Sequence, residues 1–452
     1  MNNFSIILLL TFLVAASSET LQASNQEQIR RHRHLSQGTT CKLTIENVLY
    51  SNGTSTEKWV CELPREDSKR LGLDYLEIDE SESIIKDARP GESTMTVSKA
   101  IVDMEDQKFF VPKDAIVKVR NDPHENAVSS AHRKLREMPT TGLYPTLVVR
   151  ITTANNASPK SDIAQLANDF FEDEGCIKTE FDACSYGKLK IEPFVGETKT
   201  GVDVKNGVVG ITIPYDLSTS NSRTKLVSAS LQAANDQLGN VFENDNLGLV
   251  VFVLPPGTGN WIGNALTYNK VSYYNDKSAS SVAVHMHEIG HNLGLAHSGD
   301  GLLEYNDKTG TMGIASMHDD FHRCFNQAKS YQLGWYDDKV KTIDPLSSQS
   351  VHDFVLNGVA AYKENDNALI VVRLDQTNFG QDFYIGYNYK SGIHVDTFSD
   401  LNMVTIVRKN YGSPKEYGTS TRIASLNVGE SFIIPTFNGQ RDVEVKFRGL
   451  AN

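Results

Sequence analysis

The run HEIGHNLGLAH at residues 287–297 sets three histidines and a glutamate at spacings suited to a hydrolytic metal centre. His287 and His291 are four apart, so on a helix they project from one face, one turn apart, and their imidazoles can meet on a single Zn²⁺. Gly294 follows three residues later, where a residue that tolerates positive φ can end the helix and redirect the chain. That turn would deliver His297 as a third ligand. Three neutral imidazoles leave the fourth tetrahedral position to water, which separates a catalytic zinc site from a closed structural one. Glu288 need not ligate; it is expected to act as general base on the zinc-activated water, whose pKa the metal lowers towards ~7, and to return the proton to the departing amine. This chemistry fits peptide hydrolysis without a covalent intermediate. A noncatalytic histidine-bearing helix is the competing reading, and requiring Gly294 and His297 besides the HExxH core makes chance occurrence much rarer.

The segments around the motif must position it. From Thr146 strand-like runs alternate with helical ones: TLVVRITT, SDIAQLANDFF, KLKIEPF, GVVGITIPY, then SRTKLVSASLQAANDQLG from a Ser N-cap to Gly239, and the buried strand NLGLVVFVLPP. The pattern predicts an α+β catalytic region over 141–343. Residues 41–120 carry short alternating runs broken by Asn-Gly, Pro-Gly and Asp-Pro, which predict a small β-rich domain within 19–140. Beyond Asp344 some seven strand-like runs predict a C-terminal β-sandwich over 344–452. His285 points to another helix face than His287 and reads as packing, while His318 and His322 read as loop residues.

HEIGHNLGLAH matches the metzincin zinc-binding consensus, and EYNDKTGTMG at 304–313 with RCFNQAKSYQLGWY at 323–336 resembles the gametolysin (algal autolysin) family. The resemblance implies a metzincin-type zincin fold and a secreted zinc metalloendopeptidase acting on protein or glycoprotein substrates of matrix or cell wall. The position of residues 19–140 before the catalytic region, with the basic pairs Arg30-Arg31 and Arg133-Lys134, predicts a pro-region and hence a zymogen. It implies one catalytic Zn²⁺ on His287, His291 and His297, with Glu288 as base and a methionine in a tight turn as an apolar floor. Met312 in Thr-Met-Gly matches that methionine; Met317 in Ala-Ser-Met-His is the competitor. The family also implies an edge strand that pairs with extended substrate, placed in NALTYNKVSYY at 264–274, against an ordinary hairpin. Two rival functions are a matrix-binding protein with a vestigial zinc site and a zinc amidase acting on wall components.

The 452 residues, 39% hydrophobic and 22% charged, describe a folded chain of two or three domains. A formal charge of −12 gives no basic field for nucleic acid. The apolar run FSIILLLTFLVAA at 4–16, followed by small residues, reads as a signal peptide over 1–18, which leaves no membrane span after its removal. Five cysteines suggest two local disulfides, Cys41–Cys61 and Cys176–Cys184, with Cys324 unpaired. The alternative is that Cys41 or Cys61 takes the fourth zinc position and holds the enzyme latent, as in several metzincins. The acidic loops at 242–246 and 298–301 offer oxygen ligands for Ca²⁺ but have no recognised loop spacing; solvated surface is the simpler reading.

Overall fold

The structure is a computed structural model that describes residues 31–35, 38–78, 85–121, 138–241, 244, 246–313, 320–347, 351–376, 379–410 and 415–451. The signal segment, the basic pair Arg133-Lys134, Met317, His318 and most of the acidic loop at 242–246 lie outside the described residues. Two compact units emerge, one of residues 1–44 with 58–124, the other of 45–57 with 125–452.

The first unit is β-rich. Its strands, among them Tyr75–Ile78, Ser93–Val97 and Val117–Asn121, close on a core of Leu43, Leu76, Met95, Val102 and Phe109. Cys41 and Cys61 form a disulfide there, spanning 20 residues. Neither sulfur is therefore a free thiol that could reach a metal.

Two strands begin in one unit and end in the other: β1 (Thr40–Tyr50) and β2 (Ser55–Glu62). The second unit continues with β3 (Gly142–Thr153), helix α1 (Ile163–Ala167), α2 (Ile177–Ser185), β4 (Leu189–Pro193), β5 (Val208–Ile213), α3 (Arg223–Leu238) and β6 (Leu249–Leu254). Then come β7 (Trp261–Leu266), β8 (Val271–Asn275) and α4 (Val282–Asn292), the helix that carries the histidines. β4 and β5 pair parallel with β3, which pairs parallel with β6, and β6 pairs parallel with β8. β7 alone runs antiparallel, against β8. The inner strands are near-continuous apolar runs because helices cover their faces; every residue of β6 is buried. Helix α3 is capped as its sequence predicts, Ser222 accepting from the Lys225 amide and Gly239 leaving at φ 84°.

Beyond α4 the chain builds a second sheet, in the order β9 (Ser298–Asp300), β14 (Ser420–Leu426), β13 (Met403–Asn410), β12 (Gln381–Asn388), β11 (Val371–Leu374) and β10 (Val340–Ile343). Helix α5 (Gln327–Leu333) packs on it, and a separate hairpin joins β15 (Ser431–Phe437) to β16 (Arg441–Lys446). Ile385, Ile406, Ile434 and Phe437 share one buried apolar cluster between the six-stranded sheet and the hairpin. The result is an α+β chain with a β-rich N-terminal region and a C-terminal β-sheet. Asp300 of the second acidic loop is held by the Arg422 guanidinium.

The cysteine pairing departs from expectation. Cys184 bonds Cys324 across 140 residues, and Cys176 is buried and free. Cys176 and Cys184 stand at opposite ends of α2, where eight residues at 1.5 Å each put them about 12 Å apart, beyond the roughly 7 Å limit for a disulfide. Closing so long a loop restricts the unfolded chain strongly, so replacing both Cys184 and Cys324 by Ala should cost about 2–5 kcal/mol in denaturant unfolding.

His394 lies beside that disulfide, its Nδ1 accepting from the Cys324 amide at 3.1 Å and its Nε2 donating to Asn388 Oδ1 at 2.9 Å. Burial pushes its pKa down to about 3 from 6.5. Between those values the unfolded chain binds the proton and the folded chain does not, so stability falls as pH drops below 6.5, at about 1.4 kcal/mol per unit for this one group. Denaturant titrations between pH 7 and 4 should show a shallower acid loss in His394→Asn, whose amide oxygen can still accept from Cys324.

Candidate metal centre

Helix α4 starts at Ser281, whose hydroxyl accepts from the Val284 amide, and every one of its residues is buried. It packs against β7 and β8, and Asn292 in its last turn ties it down: Nδ2 donates to the carbonyls of Leu266 and Val271, each at 3.0 Å. Gly294 then turns the chain at φ 86°, where a Cβ would run into the Tyr268 ring. The Leu295 amide donates to the Gly290 carbonyl and Gln332 Nε2 to the Gly294 carbonyl, fixing the reversal. The next residues present His297, whose carbonyl accepts from the Ser420 amide of β14.

His287, His291 and His297 come together, with ligand atoms within 4.8 Å of one another. Each Nδ1 faces an acceptor: the Thr311 carbonyl at 3.0 Å from His287, the Leu295 carbonyl at 2.8 Å from His291, and Glu57 Oε1 at 3.0 Å from His297. These partners place the ring proton on Nδ1 in all three, which leaves three Nε2 lone pairs. The Nε2 atoms of His287 and His291 stand 3.2 Å apart, and that of His297 is buried without a hydrogen-bond partner among the described residues. Two facing lone pairs at that distance repel unless a cation lies between them. The edge of a coordination tetrahedron with zinc–nitrogen bonds of about 2.0–2.1 Å is ~3.3 Å. The residues therefore fit a zinc ion. Burial drives the pKa of His287 down to about 3 and that of His291 well below 6.5, so both rings are neutral, as ligation requires.

Glu288 is fully buried, neither carboxylate oxygen has a hydrogen-bond partner among the described residues, and burial holds its carboxyl well above the usual range. It abuts Gly263 of β7, where a Cβ would stand 2.7 Å from the Glu288 Cδ. The Thr311–Gly313 turn is buried beneath α4, and a Cβ on Gly290 would meet the Met312 sulfur at 2.5 Å. Tyr305 packs its ring edgewise on His297 and His287, with centroids 4.8 and 5.6 Å away.

Other histidines lie apart. His285 stacks on Phe170, 4.2 Å between centroids, and His322 pairs with Glu180 at 2.5 Å. The segment 264–274 is a hairpin of β7 and β8, and the outer side of β7 is taken by residues 46–50 of β1. Glu57, Gly263, Asn292 and Tyr305 escaped sequence reasoning. Asn292 lies inside the zinc motif and Tyr305 inside the family-like segment 304–313, but the sequence singles out neither, and nothing local distinguishes Glu57 and Gly263 from surface or turn residues.

No curated protein and no solved structure matches the chain. The family model for gametolysin peptidase M11 matches residues 153–395, more than half of the chain and the whole of the histidine cluster. With that match enclosing a buried three-histidine cluster consistent with a zinc site, the chain belongs to the gametolysin peptidase M11 family of zinc metalloendopeptidases.

Proposed function

We propose that this chain is a secreted zinc metalloendopeptidase that cleaves proteins or glycoproteins of an extracellular matrix or cell wall. The observation that carries the reading is the convergence of three Nε2 lone pairs beside an unpartnered, buried glutamate. His287, His291 and His297 would hold the ion through those atoms. Bound there, zinc supplies Lewis-acid polarisation of the scissile carbonyl and acidifies water. The positive charge of an ion bound beside it would favour the ionised form of Glu288, which takes the proton from the attacking water on a carboxylate oxygen and passes it to the departing amine nitrogen. Met312, packed against Gly290 between the first two histidines, keeps the floor of the site apolar and fixes the helix.

In this reading residues 1–18 are the signal peptide, 19–140 a removable pro-region, 141–343 the catalytic domain and 344–452 a β-sandwich. The two disulfides favour an oxidising compartment, and among the described residues no helix is long and apolar enough to cross a membrane. The family match starts at residue 153, after the proposed pro-region, and runs to 395, into the proposed C-terminal domain; the cluster shared by the C-terminal sheet and hairpin supports two packed layers there. Secreted material should show a processed N-terminus near residue 140 and cleave casein or gelatin, with loss of cleavage in chelator and recovery on added zinc. Processed, zinc-loaded protein that leaves both substrates intact would count against a peptidase and for a matrix-binding role.

A further inference from the structure

Segment 45–57 belongs to the second unit, although it lies outside the family match. Its residues 46–50 pair antiparallel with β7: Glu46 opposite Leu266, Asn47 opposite Ala265, Val48 opposite Asn264, Leu49 opposite Gly263 and Tyr50 opposite Trp261. The Thr267 amide donates to the Ile45 carbonyl and the Ser51 amide to the Asn260 carbonyl, extending the pairing at both ends. Leu49 thus sits opposite the glycine that abuts Glu288.

Side chains anchor the segment on both faces. Glu46 is 4% exposed; Arg223 grips it with Nη1 at 2.8 Å and Nη2 at 3.2 Å, and Asn264 Nδ2 donates to it at 2.8 Å. Asn47 Nδ2 donates to Thr267 Oγ1 at 2.9 Å, and Leu49, 2% exposed, joins the core that holds Ile262, Val282 and Ile289. At the far end Glu57 holds the His297 ring. With the segment in place His287, Glu288 and His291 have no solvent exposure and His297 has 3%. A peptidase must admit an extended peptide to these groups, and the open edge of β7 is the backbone template for one.

We propose that residues 45–57 are a tethered substrate mimic, held on β7 in the place of a peptide, and that the contacts it makes are the enzyme's own subsites. Arg223 and Asn264 form an acid-binding subsite, and the Leu49 position beside Gly263 forms an apolar one. The preferred substrate is accordingly an extended peptide with an acidic residue three positions before an aliphatic one, as in Glu46-Asn-Val-Leu49. The pairing is charge-assisted and bidentate, which gives it direction as well as strength. Tethering supplies the segment at an effective concentration of order millimolar, so a free peptide of similar affinity does not compete while the tether is intact. The inference rests on the metallopeptidase reading for its consequence, and on backbone pairing for its substance.

The test uses the unprocessed full chain and a fluorescein-labelled peptide of sequence IENVLY, read by anisotropy, which needs no catalysis. Wild type should not bind the peptide. Glu46→Lys, which sets a cation against Arg223, should release the segment, so that the unprocessed variant binds IENVLY and, zinc-loaded, cleaves casein at least ten-fold faster than wild type. A peptide with Lys for Glu should bind the variant at least ten-fold more weakly, whereas Arg223→Glu alone, which sets an anion against Glu46, should also release the segment and bind the Lys peptide in preference to IENVLY. Should Glu46→Lys not fold, Leu49→Glu probes the apolar subsite with the same readouts. Wild type that binds the peptide as well as the variants do, or folded variants that bind neither peptide, would overturn the proposal. Binding that follows this pattern without any proteolysis would leave the mimic standing and sink the metallopeptidase reading instead.

Discussion

Glu288→Gln in the processed enzyme should lower kcat/KM for casein-derived peptides by about 10³-fold or more, with zinc content and thermal stability unchanged. Glutamine keeps the shape of the side chain but cannot take the proton, and general acid–base catalysis of this kind contributes typically 10²–10⁴-fold. Among the described residues the side chain makes no hydrogen bond that the fold depends on, since neither oxygen has a partner there. The loss should therefore fall on kcat, with KM nearly unmoved, because the group acts on the proton in the transition state rather than on ground-state binding. A fall in KM-governed affinity with kcat preserved would mark Glu288 as a substrate-binding residue.

Gly263→Ala should be nearly as damaging for a different reason. The added methyl would stand 2.7 Å from the Glu288 Cδ. Backbone pairing with β8 fixes Gly263 in β7, whereas Glu288 is a flexible side chain with no hydrogen-bond partner among the described residues, so the glutamate yields. Displacing a catalytic group by about 1 Å costs on the order of 10²-fold in rate. Zinc should be retained, because Thr311 and Leu295 hold His287 and His291 from their Nδ1 sides, and the three atoms nearest the added methyl all belong to Glu288. A Gly263→Ala enzyme with wild-type kcat/KM would show that β7 does not position the base.

The metal helix was the most legible part of the chain. Its histidine spacing is a local property, and Gly294 turns at positive φ where the motif requires it. The caps of α3 at Ser222 and Gly239 were equally readable, because capping chemistry resides in the residues that cap. Pairing between distant segments was not readable. KLTIENVLY announces a strand by alternation, but alternation does not name the partner, and residues 46–50 pair with a strand more than 200 residues later. Glu46 and Glu57 look like solvated surface charges in sequence, yet one is buried on Arg223 and the other holds His297. Cys184 likewise found Cys324 rather than its near neighbour Cys176, because the helix between the nearer two separates them. Buried polar contacts of this kind are set by tertiary packing and leave no periodic signal.

The central claim is that His287, His291 and His297 hold one zinc ion with Glu288 beside it. Metal content of the purified full chain, measured by mass spectrometry of the element against protein concentration, tests it most directly. The account predicts one zinc per chain in wild type and in Glu288→Gln, and almost none in His291→Ala at equal purity and fold. Zinc-free wild type after growth in zinc, or full zinc retained by His291→Ala, would contradict it.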